Sequence, residues 1–132
     1  MHANAISPTE SIFRAFETAA SQAFHSIMIT EVGPNGEGHK VVYVNPAFTE
    51  MTGFAPEEVI GKTPRVLQGD QTDKAVIDEL RDKLQNESDF HGQTINYRKD
   101  GSAFPIEWKV SPIHDDHGKV THHVAVQREI AA

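Results

Sequence analysis

From His91 to Lys99 the chain reads HGQTINYRK, Asp100-Gly101 follows, and Ala103 to Ile113 reads AFPIEWKVSPI. Alternating residue types on both sides of an Asp-Gly pair predict two antiparallel strands joined by a two-residue turn. Side chains alternate between the faces of a strand, so Thr94, Asn96 and Arg98 share one face of the first. Phe104, Ile106, Trp108 and Val110 share one face of the second. After a polar turn, His114-Asp115-Asp116-His117-Gly118, a third strand runs over Lys119 to Glu129 with His123, Ala125 and Gln127 on one face.

Working back towards the N-terminus, Asp73 to Leu84 reads as a helix capped by Thr72 or Asp73, with Val76, Ile77, Leu80 and Leu84 along one side. Pro46 to Met51 and Pro56 to Ile60 read as short helical turns, ended by Thr52-Gly53 and Gly61. Ser26 to Glu31 and Lys40 to Asn45 are strand-like, with Gly33-Pro34-Asn35-Gly36 and Gly38 as turn chemistry between them. Two strands parted from three by helices predict an α+β domain: one antiparallel sheet with its helices gathered on one face. Ahead of it, Ser7-Pro8-Thr9-Glu10 has the form of a capping box. It opens a helix whose Ile12, Phe13, Phe16, Ala19, Ala20, Ala23 and Phe24 recur at helical spacing. That stripe packs on the core or pairs with a second copy of the chain; the sequence leaves both open.

Composition bounds the function. The 132 residues, 38% hydrophobic and 23% charged, suit one domain of ordinary size. Twelve basic against 19 acidic residues give a net charge of −7, which disfavours nucleic acid as a partner. The chain has no cysteine, so it has no disulfide, thiolate metal site or thiol nucleophile. Apolar stretches fall short of the ~20 residues of a membrane span, and Met1 to Glu10 lacks the form of a signal peptide. The expectation is a cytoplasmic domain. His114 and His117, around Asp115 and Asp116, are read as solvated turn residues rather than metal ligands. No Walker loop, Rossmann glycine pattern or HExxH appears.

Several segments together resemble a PAS sensory domain. They are Val42-Tyr43-Val44-Asn45-Pro46-Ala47-Phe48, Met51-Thr52-Gly53-Phe54, Glu57-Glu58-Val59-Ile60-Gly61-Lys62 and Asn96-Tyr97-Arg98-Lys99-Asp100-Gly101-Ser102. The resemblance runs from about Ala23 to Ile130, dividing the chain into an N-terminal helical cap, 1–25, and a sensory domain, 26–130. Arg65-Val66-Leu67-Gln68-Gly69 followed by Thr72-Asp73 is similar to the light-oxygen-voltage branch, whose flavin loop reads NCRFLQG. Here that loop is Thr63-Pro64-Arg65-Val66-Leu67-Gln68-Gly69, and Pro64 stands where the adduct-forming cysteine would be. A cysteinyl–flavin adduct is therefore excluded by chemistry.

The resemblance implies a flavin and assigns residues to it. Arg65 and Arg81 match the arginines that hold the phosphate of flavin mononucleotide (FMN). Asn96 and Gln127 match two of three amides at the polar edge of the ring; the third position is Ile106, which cannot hydrogen-bond, and Thr63 replaces an asparagine. Gln68 is expected along the ribityl chain and Thr30 at the ring's far side. Trp108 shares a strand face with Ile106 and is a candidate one-electron donor. The loop proline and Phe90-His91-Gly92-Gln93 also resemble redox regulators that hold flavin adenine dinucleotide (FAD) without a cysteine. The retained arginine pair favours FMN.

The implied function is a non-enzymatic input module that responds to blue light or redox state through flavin reduction. Gln127 would register the state of N5, and a homodimer through the first helix is expected. Because the chain stops at Ala131-Ala132, just past the last strand, an effector is expected to lie elsewhere. The competing readings are a cofactor-free PAS module for dimerisation or small ligands, supported by Ile106 and Thr63, and a flavoenzyme with turnover. The last lacks a catalytic acid or base at a recognisable spacing.

Overall fold

A computed structural model describes residues 8–33 and 38–130; Ser7 of the capping box and the Pro34-Asn35-Gly36 turn signal lie outside them. Helix α1 spans Pro8–Gln22, followed by strands β1 (Ser26–Val32) and β2 (His39–Val44). Helices α2 (Pro46–Thr52) and α3 (Pro56–Val59) and a 3-10 turn (Pro64–Leu67) precede α4 (Lys74–Gln85). Strands β3 (Phe90–Tyr97), β4 (Ala103–His114) and β5 (Val120–Glu129) complete one antiparallel sheet in the order β2-β1-β5-β4-β3. This is the α+β architecture expected, with five strands and the helix preceding them. The 3-10 turn is an element that the hydrophobic pattern did not reveal.

One correction and one choice that the sequence left open concern local structure. The Asp100-Gly101 pair does not close a two-residue hairpin: the ladder ends at Tyr97 opposite Ala103, and Arg98 to Ser102 make the connection. Asp100 shapes that loop by accepting from the Ser102 amide at 2.9 Å and its hydroxyl at 2.7 Å, while Gly101 takes a left-handed φ of 88°. Second, α1 does not pack on the core. None of its residues is buried, and Phe13 and Phe16 are 68% and 72% exposed.

Asn45 joins the elements at the N-terminal end. Its side-chain oxygen accepts from the amides of Ile27 (2.8 Å) and Phe48 (3.1 Å), the latter capping α2. Its amide nitrogen donates to the carbonyls of Ala20 (2.9 Å) and His25 (3.0 Å). One fully buried carboxamide thus ties the end of α1, the start of β1 and the start of α2 together.

The core forms two clusters on the helical side of the sheet. Met28, Val41, Val44, Phe48, Val59 and Leu67 make one; Phe90, Phe104, Ile106, Trp108 and Val110 make the other, covered by the α4 stripe of Val76, Ile77, Leu80 and Leu84. Ala125, on the central strand β5, packs against both.

Candidate flavin-type ligand site

The two clusters meet at Ala125, and the polar groups of the inner face gather along the same line. Asn96 and Gln127 are each 5% exposed, and Thr94, Ile106, Trp108 and His123 are buried on the same side of the sheet. Register explains the grouping: Gln127 lies opposite both Ser26 and Trp108, Ala125 opposite Met28 and Val110, and His123 opposite Thr30. Strand alternation therefore placed this face correctly.

Gln127 is held by a residue that the sequence reading missed. The Ser26 hydroxyl donates to Gln127 Oε1 at 3.1 Å, with Ser26 2% exposed. Asn96 and Gln127 thus bring two carboxamides to the inner face of the sheet. A carboxamide can donate and accept, so two of them facing inward fit a ring whose edge carries carbonyls and nitrogens. Ile106 adds only hydrocarbon, and Trp108 packs against Phe90 with ring centroids 5.0 Å apart.

The loop that resembles the flavin loop is pinned to β3. Thr72 Oγ1 donates to the Ile95 carbonyl (2.7 Å) and accepts from the Gly69 amide (3.0 Å). The Asp73 amide donates to Thr94 Oγ1 and the Gln71 amide to the Tyr97 hydroxyl, both at 2.8 Å. Gly69 has to be glycine here, because a Cβ would sit 2.3 Å from the Tyr97 ring. The loop is thereby fixed to the strand that carries Asn96.

The residues that the resemblance assigns to a phosphate and its chain are arranged less tightly. Arg65 lies exposed on the 3-10 turn, and Thr63 and Gln68 flank it, also exposed. Arg81 projects from α4 and pairs with Asp78 at 3.4 Å. Both arginines belong to the helical side, but no contact brings them together. Thr30 is buried on β1, opposite His123.

Two further polar constellations frame the sheet. Arg98 donates to both oxygens of Glu129 (2.8 and 3.1 Å) and to the Met51 carbonyl (2.9 Å), and its guanidinium lies 4.3 Å from the Phe104 ring centroid. On the outer face Glu107 joins His91 and Arg128, which together hold its carboxyl down to about 2. At the turn expected to be solvated, Asp115 accepts from the amides of His117 and Lys119, and His114 meets Glu87 at 3.2 Å. Among the described residues no group of three or more His, Asp or Glu side chains is placed to hold a metal ion. Among them, too, no helix is long and apolar enough to cross a membrane.

Comparison with known proteins agrees with the fold. The model of the PAS domain family matches residues 25–132. Phototropin-2 of Oryza sativa subsp. japonica is 41% identical over 91 residues, which is 69% of this chain and 10% of that protein. The nitrogen fixation regulatory protein of Klebsiella oxytoca is 30% identical over 116 residues, 88% of this chain and 22% of its own length. The chain thus spans a tenth to about a fifth of these two relatives. A solved structure described as "Flavin Analogue Sheds Light on Light-Oxygen-Voltage Domain Mechanism" superposes with a TM-score of 0.79 at 31% identity, covering 92% of this chain and 85% of that one.

Proposed function

The chain belongs to the PAS domain family, as a member of light-oxygen-voltage type without a cysteine, and from that premise we propose that it is a flavin-holding sensory input module that signals without an adduct. The observation that carries this reading is the pair of inward amides, Asn96 and Gln127, each 5% exposed on the same face of the sheet, where a flavin edge presents groups that a carboxamide can meet. A flavin supplies a reversible redox centre whose N5 gains or loses a proton with its state, under blue light or cellular reductant.

Gln127 is suited to read that change. A carboxamide donates at one end and accepts at the other, so turning it over exchanges the group shown to the ring. Ser26 makes the turn inexpensive, since a hydroxyl can donate to Oε1 in one orientation and accept from Nε2 in the other. Asn96 and Ile106 would flank the ring, Trp108 would serve as a nearby electron donor, and Thr30 would lie towards the far end. Arg65 and Arg81 would hold the phosphate, Gln68 the ribityl chain, with Thr63 beside the loop; this set favours FMN over FAD. Engaging phosphate would draw Arg81 away from Asp78.

Output would leave through β5, where Arg98 grips Glu129 two residues beyond Gln127, towards an effector elsewhere. The exposed Ile12, Phe13 and Phe16 of α1 support a homodimer through this helix. The test is an absorption spectrum of the purified protein, followed by chromatography of what heat releases. A structured blue band with FMN eluting supports the reading. A colourless protein that takes up no added flavin overturns it in favour of a cofactor-free PAS module.

A further inference from the structure

The core clusters occupy one face of the sheet. On the other face strand alternation sets Ile27 and Ile29 of β1 and Val124 and Val126 of β5, since Met28, Ala125 and Gln127 point inward. Register makes them one patch: Ile27 lies opposite Val126 and Ile29 opposite Val124, on the central strand and its neighbour. Tyr43, opposite Ile29, extends the patch towards β2. The outer face of a solvated antiparallel sheet ordinarily alternates to polar residues, so four branched hydrocarbons at its centre mark a surface that another element covers.

On the β4 side the patch has a charged border. Val126 stands opposite Lys109, and Arg128 opposite Glu107, which His91 also engages. Glu107 offsets Arg128, so Lys109 leaves this border net positive. Val126, Lys109, Arg128, His91 and His25 line a hollow there of about 350 Å³, room for an aromatic side chain.

Helix α1 carries the matching pattern. Ile12, Phe16, Ala19 and Ala23 run along the centre of its exposed stripe, and Phe13 forms one edge. Glu10 and Glu17, one turn before and one turn after Phe13, follow that edge, and Arg14 falls on the opposite face. At about 22 Å the helix matches the length of β1. It is tied away from its own outer face: Asn45 donates to the Ala20 and His25 carbonyls and so fastens the last turn of α1 beside α2. Only residues 23–25 separate the helix from β1, and folding back over its own sheet would break the bond to Ala20.

We infer that α1 lies across the outer sheet face of a second copy of the chain, with Phe13 in the hollow and Glu17 beside Lys109, and that the second copy returns the same contact. The inference rests on the homodimer reading above and assigns the surface that receives the helix. Such reciprocity is what a two-fold pair requires, and it doubles the area buried. The aromatic rings supply most of the contact energy, while the charges fix the register. Val126 and Arg128 flank Gln127 on β5, so the seat lies directly behind the residue proposed to read the ligand.

The absence of cysteine makes cross-linking specific. Phe16→Cys in a tagged copy and Val126→Cys in an untagged copy are mixed and treated with a short bismaleimide. The expected product joins one tagged to one untagged chain. In sedimentation Val126→Glu, at an exposed position, should raise the dimer dissociation constant roughly tenfold or more. Should that variant not fold, Lys109→Glu replaces it. Tagged chains joined only to each other through Phe16→Cys, or a dimer that Val126→Glu leaves unchanged, would overturn the inference and keep a homodimer through α1. A wild-type chain that sediments as a monomer, or a double variant that cross-links only within one chain, would overturn both.

Discussion

Ser26, the first residue of β1, donates its hydroxyl to Gln127 Oε1 at 3.1 Å across 101 residues of sequence. The bond fixes which end of the Gln127 amide faces inward. Ser26→Ala leaves Oε1 without its donor, and the expected cost is about 1–2 kcal/mol of stability, measured by urea unfolding. In the flavin-loaded protein the same change should shift the absorption band. Gln127→Leu should shift it further while retaining the ligand, and an unmoved band in both variants would mean that Gln127 does not touch the ring.

Removing Arg65 and Arg81 separates phosphate recognition from ring recognition. Arg65→Ala with Arg81→Ala should weaken FMN by several kcal/mol, about two charge-assisted contacts, and riboflavin hardly at all. Titration of apoprotein with both ligands checks this. Equal loss for the two ligands would point to a disturbed fold rather than to a lost phosphate site.

The buried imidazole of His123 sets a pH dependence. Its pKa falls from the usual 6.5 to about 4 on folding, chiefly through burial and then through His39 and His122. Between those values the unfolded chain binds the extra proton, so stability declines as pH drops from about 6.5 towards 4, by up to about 3 kcal/mol. Denaturant midpoints at pH 7.5, 6 and 5 should show the decline, and His123→Phe should flatten it. Glu107 is separable, since its lowered carboxyl pKa makes its contribution fade only as pH falls below about 4.5 towards 2.

Asn45→Ala should be among the most damaging single changes in the chain. It strips acceptors from two amides and donors from two carbonyls at a fully buried position, which costs roughly 2–4 kcal/mol. Because the Ala20 and His25 carbonyls lose their tie, α1 should also become more accessible to protease than in the parent protein.

How much of this was legible in the sequence follows from the range of the forces involved. Period-two alternation is local, so the inward set from Thr94 to Gln127 could be read directly, as could the α4 stripe. Ser26 was unreadable as a partner of Gln127, because nothing short of the β1–β5 register brings the two together. Asn45 looked like the end of a strand, and its four bonds exist only once α1, β1 and α2 converge. The bulge that turns both Val41 and Val44 inward gave no sign, since valine suits either face. Nor did the pattern tell an α1 stripe that packs from one that stays exposed; amphipathicity marks an apolar face without naming what covers it.

The sheet order places β1 beside β5 in opposite directions, with Ser26 facing Gln127. The chain therefore enters and leaves the sheet through neighbouring doorways about 5 Å apart. A host protein could carry this unit as a loop insertion, its own backbone hardly parted by the guest. Any shift of β5 against β1 would then reach that host as a change in the gap between two adjoining threads, with no lever arm needed to transmit it.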